Sequence, residues 1–438
     1  MSKRRAVMQG NATTTSLFAY PQYPAWLSAD TALAAGLALR TLALSLLGFA
    51  LTGSTLQAGW LATGSTIVGL AAQVFGGTLV DRVNRVFCIA LNAGIGIGIW
   101  TLVALLCALN MLPFSVLMTL ACIAAGVHGL FGTATDAMLR SIVPIEAYPR
   151  ARSLNEGRDA TVSMLGGPVS GMLYSMAPWV PFAGSAVLYA IAAISCFPLR
   201  AQSRSHALRV VTEQDDSDEI HAKTAVPHHT SFMHDMVEGW QWSLTKPRVV
   251  LIVSIAALAN FGINGVQYAI ELDFVAQGIS ATRIGYISGT IALAMLVGSL
   301  IAGKLSTRVH VGAAACISLI WIAVCGLLLI VVHQYWLILL VNAGLGLPIA
   351  MMNATLLGFV FAKAPHHMQG RVTVTLTMPA QILSATCGAL AGWLLAASSY
   401  TVAISVFATV LCCAAVLAAS TRIVRNIPNA QQWRTVAL

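Results

Sequence analysis

Twelve apolar runs, each about as long as a helix that crosses a bilayer, follow one another along this chain. At 1.5 Å of rise per residue, a hydrocarbon core about 30 Å thick takes roughly 20 residues. The runs fall near residues 25–50, 56–80, 86–109, 113–139, 159–178, 180–199, 248–274, 284–304, 310–332, 335–361, 371–397 and 400–420. Several are separated only by short turns, at 110–112, 177–181, 333–335 and 398–399. A β-barrel needs alternating segments of about ten residues, and the sequence contains none. Charged residues make up 9% of the 438, against roughly 25% in a soluble protein. Lipid must therefore solvate most of the surface, and the expected fold is an all-α membrane protein of twelve transmembrane helices.

Charge sets the orientation. With the N-terminus in the cytoplasm, 22 of the 24 Lys and Arg residues fall on that side. The exceptions are Arg40, inside span one, and Arg283, after span seven. Basic residues are retained on the cytoplasmic side, so both termini are expected there, in a multi-pass protein of the cell (inner, cytoplasmic) membrane. The net charge of +9 is thereby explained, and no nucleic-acid partner is expected. Residues 1–24 form a cytoplasmic N-terminal segment in which Lys3, Arg4 and Arg5 precede a polar run. No cleavable apolar core follows, so no signal peptide is expected. Residues 25–199 and 248–420 form two six-span halves, 200–247 a cytoplasmic linker and 421–438 a cytoplasmic tail. The linker carries an acidic run at 213–219, then His228, His229 and His234. A solvated connection explains these better than a metal sensor, because the spacing matches no standard site. Residues 232–244 are amphipathic enough to lie on the membrane surface. All nine cysteines sit in or beside apolar runs and read as packing residues, so no metal is expected.

The halves repeat. Pro144, Arg150, Gly167 and Gly171 return as Pro365, Arg371, Gly388 and Gly392, all shifted by 221 positions. The stretch from Gly77 to Arg82 returns from Gly303 to Arg308. Two parallel repeats of six spans place a path between the halves near the midplane.

The loop Gly77-Thr78-Leu79-Val80-Asp81-Arg82-Val83-Asn84-Arg85 resembles the signature G-x-L-x-D-R-x-G-R of the major facilitator superfamily. It departs at Asn84, where the family has Gly; Asn also tolerates a left-handed turn. The run from Leu139 to Asn155, Gly239-Trp240 with Pro247, and Gly370-Arg371-Val372 resemble the branch of enterobactin exporters, macrolide efflux pumps and transmembrane secretion effector proteins. The resemblance implies a latch in which Asp81 meets a helix N-terminus of the other half in the outward-open state. Arg82 and Arg85 are candidate partners, and a helix N-terminus is worth about 0.3–1 kcal/mol to such a carboxylate. A solvated positive loop is the plainer alternative. The second copy has Thr307 in place of Asp81, so any latch is asymmetric. Gly167-Pro168-x-x-Gly171 resembles the antiporter motif of the superfamily, which favours export. Proline bends the helix and glycines admit a close neighbour; ordinary small-residue packing is the alternative.

Polar groups inside the bilayer are costly and default to functional hypotheses. Arg40 lies near the middle of span one, with Asp30 about 15 Å away by helical rise. Span four holds His128 and Asp136. On span seven, Asn260, Asn264, Gln267 and Glu271 share one helix face. Span ten adds Asn342 and Asn353, with Gly344, Gly346 and Pro348 between them to loosen the helix. The resemblance implies that spans one, four, seven and ten line the cavity, so these residues are the expected substrate and proton pathway. For any one of them, a satisfied hydrogen bond between helices is an equal explanation. Many drug–proton antiporters carry R-x-x-Q-G in span four; here the stretch is Ala125-Gly-Val-His128-Gly129, and Arg40 is the candidate to supply the missing charge. Asp30 and Glu271 are the carboxylates read as proton-exchanging.

The expected function is proton-coupled efflux of an amphipathic small molecule: a drug (multidrug resistance), a macrolide-like compound or a siderophore. An uptake porter of the same superfamily and a non-transporting membrane sensor are the alternatives. No P-loop or catalytic constellation is present, so no enzyme activity is expected. No cofactor is expected beyond the proton gradient, and the chain is expected to act as a monomer.

Overall fold

The computed structural model describes residues 17–144, 147–214, 241, 244–305, 310–363 and 369–425. Within these residues the chain is helical throughout and crosses back and forth twelve times, in two halves of six. Span one is Tyr23–Thr52, span two Thr55–Arg82 and span three Arg85–Ala108. Span four is Phe114–Phe131 followed by a short helix, Ala134–Ile142; spans five and six are Tyr148–Met176 and Val180–Gln214. In the second half, spans seven to nine are Pro247–Ala276, Ala281–Leu305 and Val311–Val331. Span ten is split into Tyr335–Gly346 and Ile349–Lys363, and span eleven into Gln369–Ala385 and Cys387–Ala397; span twelve is Tyr400–Ser420. An even number of crossings leaves the first and last described residues, Leu17 and Arg425, on one side.

Local chemistry sets the ends. Gly53 closes span one with φ +65°, a left-handed conformation that glycine adopts without a Cβ penalty. The next residue, Ser54, opens span two by accepting from the Gln57 amide. Asn84 has φ −58°, so it does not make the left-handed turn considered from the sequence. Its Oδ1 instead caps span three, accepting from the Val86 amide at 2.9 Å and the Phe87 amide at 3.4 Å. Span six runs on to Gln214, so the linker read from Arg200 begins as a continuation of that helix. Most of that linker, with its histidines and most of the 232–244 stretch, lies outside the described residues, as does much of the tail.

Eleven of the helices are long and apolar enough to cross a membrane. Span five falls short on two counts: its first turns carry Arg150, Arg152, Glu156, Arg158 and Asp159, and glycine, serine and proline dilute the apolar residues that follow. Two apolar cores result, one per half, the second of them joined by Leu42, Leu46 and Ala58 of the first half. Large apolar side chains such as Phe197, Leu300 and Leu340 remain exposed on the outer faces. That inversion is expected of a surface facing lipid tails, where burying apolar groups between helices brings no hydrophobic gain.

Candidate functional site: a cavity between the halves

A cavity of about 730 Å³ lies between the halves, walled by spans one to four of the first half and spans seven and eight of the second. Two glycine seams close it at the end away from the chain termini. Span five packs on span eight, where a Cβ on Gly171 would strike the Ala281 carbonyl and one on Gly285 the Gly167 carbonyl. Span eleven packs on span two in the matching way. A Cβ on Gly392 would strike the Thr55 carbonyl, and one on Gly59 the Gly388 carbonyl. Lacking side chains, these helices approach backbone to backbone. Among the described wall residues, those near the sealed end (Leu61, Ile284 and Ile287) are buried, whereas Gln73 and Asp136 towards the termini are exposed. The cavity therefore opens on the termini-bearing side.

The first half contributes a buried cation. Arg40 is 4% exposed, and its Nη1 donates to the Tyr189 hydroxyl of span six at 2.5 Å. The guanidinium also lies 4.6 Å from the Trp100 ring centroid and 5.4 Å from that of Tyr189. Each ring contact of this kind is worth about 0.5–2 kcal/mol. The rings are themselves held. Trp100 stacks on Phe182 at 6.0 Å, and Tyr189 fills a slot between Gly36 and Gly96, where any Cβ would meet its ring. His128 lines the same wall, with Nδ1 buried and without a hydrogen-bond partner. Asp136 stands at the open end and pairs with Arg152 at 2.7 Å.

The second half contributes amides and one acid. Asn264, Gln267 and Glu271 reach the cavity from span seven. The Ser45 hydroxyl of span one faces Glu271. Glu271 also lines a recess of about 420 Å³ beside the first seam, which it shares with Asp159, Gly167 and Ser288. The Gln267 amide donates to Asn342 Oδ1, and Asn342 Nδ2 passes the chain on to the Ile287 carbonyl of span eight at 3.0 Å.

Several expected pathway residues stand elsewhere. Asp30 is buried outside the cavity and pairs with Arg158 of span five at 2.6 Å; Arg158 also holds Asp159 at 2.6 Å. It is an ion-pair partner within the first half, because a charge at that depth needs a counter-charge. Asn260 donates to the Ala256 carbonyl of its own helix, and Asn342 is a fully buried tie rather than cavity wall. Asn353 is exposed and outside the cavity, since the break at Leu347–Pro348 separates its face from that of Asn342. In the signature loop, Gly77 has open space where its Cβ would be, and Arg85 Nη1 donates to the Ala137 carbonyl at 3.0 Å. The side chains of Asp81 and Arg82 lie outside the described residues. Sequence reading passed over Trp100, Tyr189 and Arg158. Only Arg158 carried a signal: a second bilayer-edge cation at the depth of Asp30.

Comparison with known proteins agrees with this geometry. A family model described as Major Facilitator Superfamily matches residues 31–272 and again 249–435, once per half. Among solved structures, the chain is similar to a mutant of the nucleoside transporter NupG, with TM-score 0.62 and 13% identity over 90% of this chain and 99% of that one. It is also similar to a bacterial homologue of the iron transporter ferroportin in its inward-facing state, with TM-score 0.63 and 14% identity over 90% and 97% of the two chains. No curated protein sequence matches.

Proposed function

Because the chain belongs to the major facilitator superfamily, we propose that it is a proton-driven exporter of an amphipathic small molecule, working as a monomer in the cell membrane with both termini in the cytoplasm. One observation carries this reading: a cavity lined by both apolar and charged groups, sealed at one end by two seams of closely packed glycines. The glycine motif read from the sequence as antiporter-like, Gly167-Pro168-x-x-Gly171, forms one face of the first seam. Glu271 sits in the cavity wall beside that seam, so a proton on its carboxyl acts where the halves must separate. With the termini inside, the open cavity faces the cytoplasm and accepts cargo for export. The sequence motifs support the efflux branch; the structural neighbours carry unlike cargoes by their names, and fold alone does not choose among cargoes.

Everted membrane vesicles test the reading. With an acid lumen, vesicles containing the protein should accumulate siderophores, macrolides or drugs from a panel, and the protonophore-treated control should not. Accumulation only in right-side-out vesicles would reverse the direction and make the protein an uptake porter. Absence of flux in both orientations would leave a sensor.

A further inference from the structure

Arg40 is an unusual wall residue because its charge is permanent and has no carboxylate opposite it. Among the described residues its hydrogen bond to the protein is the one to the Tyr189 hydroxyl, leaving most of a five-donor guanidinium unpartnered in the wall of the cavity. The acids that share that wall are Asp136, committed to Arg152, and Glu271, towards the sealed end; neither forms an ion pair with Arg40. His128 adds an imidazole to the same wall, its Nδ1 without a hydrogen-bond partner, and Trp100, 1% exposed, backs the guanidinium from behind. Apolar residues, among them Leu37, Leu44, Leu61 and Ile291, line the remainder.

We propose that Arg40, with His128 and Trp100, forms an anion subsite, and that the cargo is an amphipathic molecule bearing a carboxylate or similar planar oxyanion on an aromatic or apolar body. The proposal rests on the export reading for the word cargo, but the subsite itself is a statement about binding. The guanidinium takes the two oxygens of a planar anion through paired N–H groups, and the Trp100 and Tyr189 rings hold the guanidinium in place. The neutral histidine ring can donate one N–H, and the apolar residues of the wall take the body. A lipophilic cation meets the like charge of Arg40 and is disfavoured.

The test uses the purified full-length protein in dodecyl maltoside, with naphthoate, its neutral methyl ester and tetraphenylphosphonium as probes in equilibrium binding. Naphthoate should bind about tenfold or more tightly than the ester, the preference expected from a charge-assisted hydrogen bond. Arg40→Ala should erase that preference and Arg40→Lys retain part of it. Adding phosphatidylglycerol should leave naphthoate bound. Displacement by the lipid would instead assign the site to a phospholipid headgroup and overturn the cargo claim. Equal binding of acid and ester by the unmutated protein, or tighter binding of tetraphenylphosphonium, would overturn the subsite without recourse to any variant. Binding that follows these expectations alongside vesicles without flux would refute export and leave the subsite standing.

Discussion

Spans five and eleven bring the same pair of glycines, four residues apart, to their seams, yet the seams are held differently. In the first, span five meets span eight through packing: Pro168 lies against Gly289, Gly167 and Gly285 touch by backbone, and the hydroxyl pair Ser175 and Thr282 at 3.0 Å lies near the end. In the second, hydroxyls of span two bond the backbone of span eleven directly. Thr63 Oγ1 accepts from the Ala389 amide at 2.8 Å, and Thr55 Oγ1 donates to the Gly392 carbonyl at 3.1 Å. The break of span eleven at Thr386 frees backbone amides near this point, which is why a threonine is useful there. Glu271 shares a recess with Gly167 and Ser288 of the first seam. A repeat can therefore duplicate a contact and still differ in how it is held: the first seam adjoins a carboxyl, and the second is tied by hydroxyl-to-backbone hydrogen bonds.

Substitutions can separate the two seams, read out as maleimide labelling of Gln73→Cys, at the open end of the cavity, in an otherwise cysteine-free protein. The largest effect belongs to Gly171→Leu and Gly392→Leu. Overpacking a seam costs about 1–3 kcal/mol, which should tip the protein away from the sealed-outside state and slow labelling roughly tenfold to a hundredfold. Unaltered labelling in either variant would remove that seam from the closure. Next, Glu271→Gln should abolish whatever pH dependence the labelling rate shows in the parent, while Asp159→Asn should retain most of it. An unchanged pH profile in the Gln variant would detach the first seam from proton binding. Thr63→Val deletes one accepted bond, worth about 0.5–1.5 kcal/mol, and should slow labelling about twofold to tenfold. Removing the first seam's hydroxyl with Ser175→Ala should do less, and equal effects would dissolve the contrast between packing and hydrogen bonding. The smallest change should come from Asp81→Asn and in the opposite direction. Losing a latch of about 0.3–1 kcal/mol on the outward-open state should speed labelling up to about fivefold. Slower labelling would mean that Asp81 favours the cytoplasm-open state.

Span count, the repeat and the seam glycines were legible because each is a regularity of one dimension: a length, an offset, a spacing. Arg40 and the face from Asn264 to Glu271 were legible because a polar group in hydrocarbon calls attention to itself. What escaped depends on contacts across long stretches of chain. Asp30 meets an arginine 128 positions away, and no local pattern announces that pairing. Trp100 and Tyr189 lie in apolar runs, where an aromatic reads as packing until Arg40 is seen between them. The break after Phe131 also went unread, since Gly132-Thr133 interrupts an otherwise smooth run and Thr133 lacks the hydrogen bond of a capping side chain.

Span five carries a further consequence through its length. Once the charged turns before residue 160 are set aside, about 17 residues remain, or roughly 25 Å of apolar helix, short of a typical hydrocarbon core by about 5 Å. The ion pairs of Arg158 with Asp30 and Asp159 prevent the polar end from being drawn inward. A span this short is accommodated by thinning of the bilayer or by its arginines reaching to the interface, at a cost of a fraction of a kcal/mol per ångström. Span five also forms the first seam, so lipid chain length is expected to bear on how readily that seam parts.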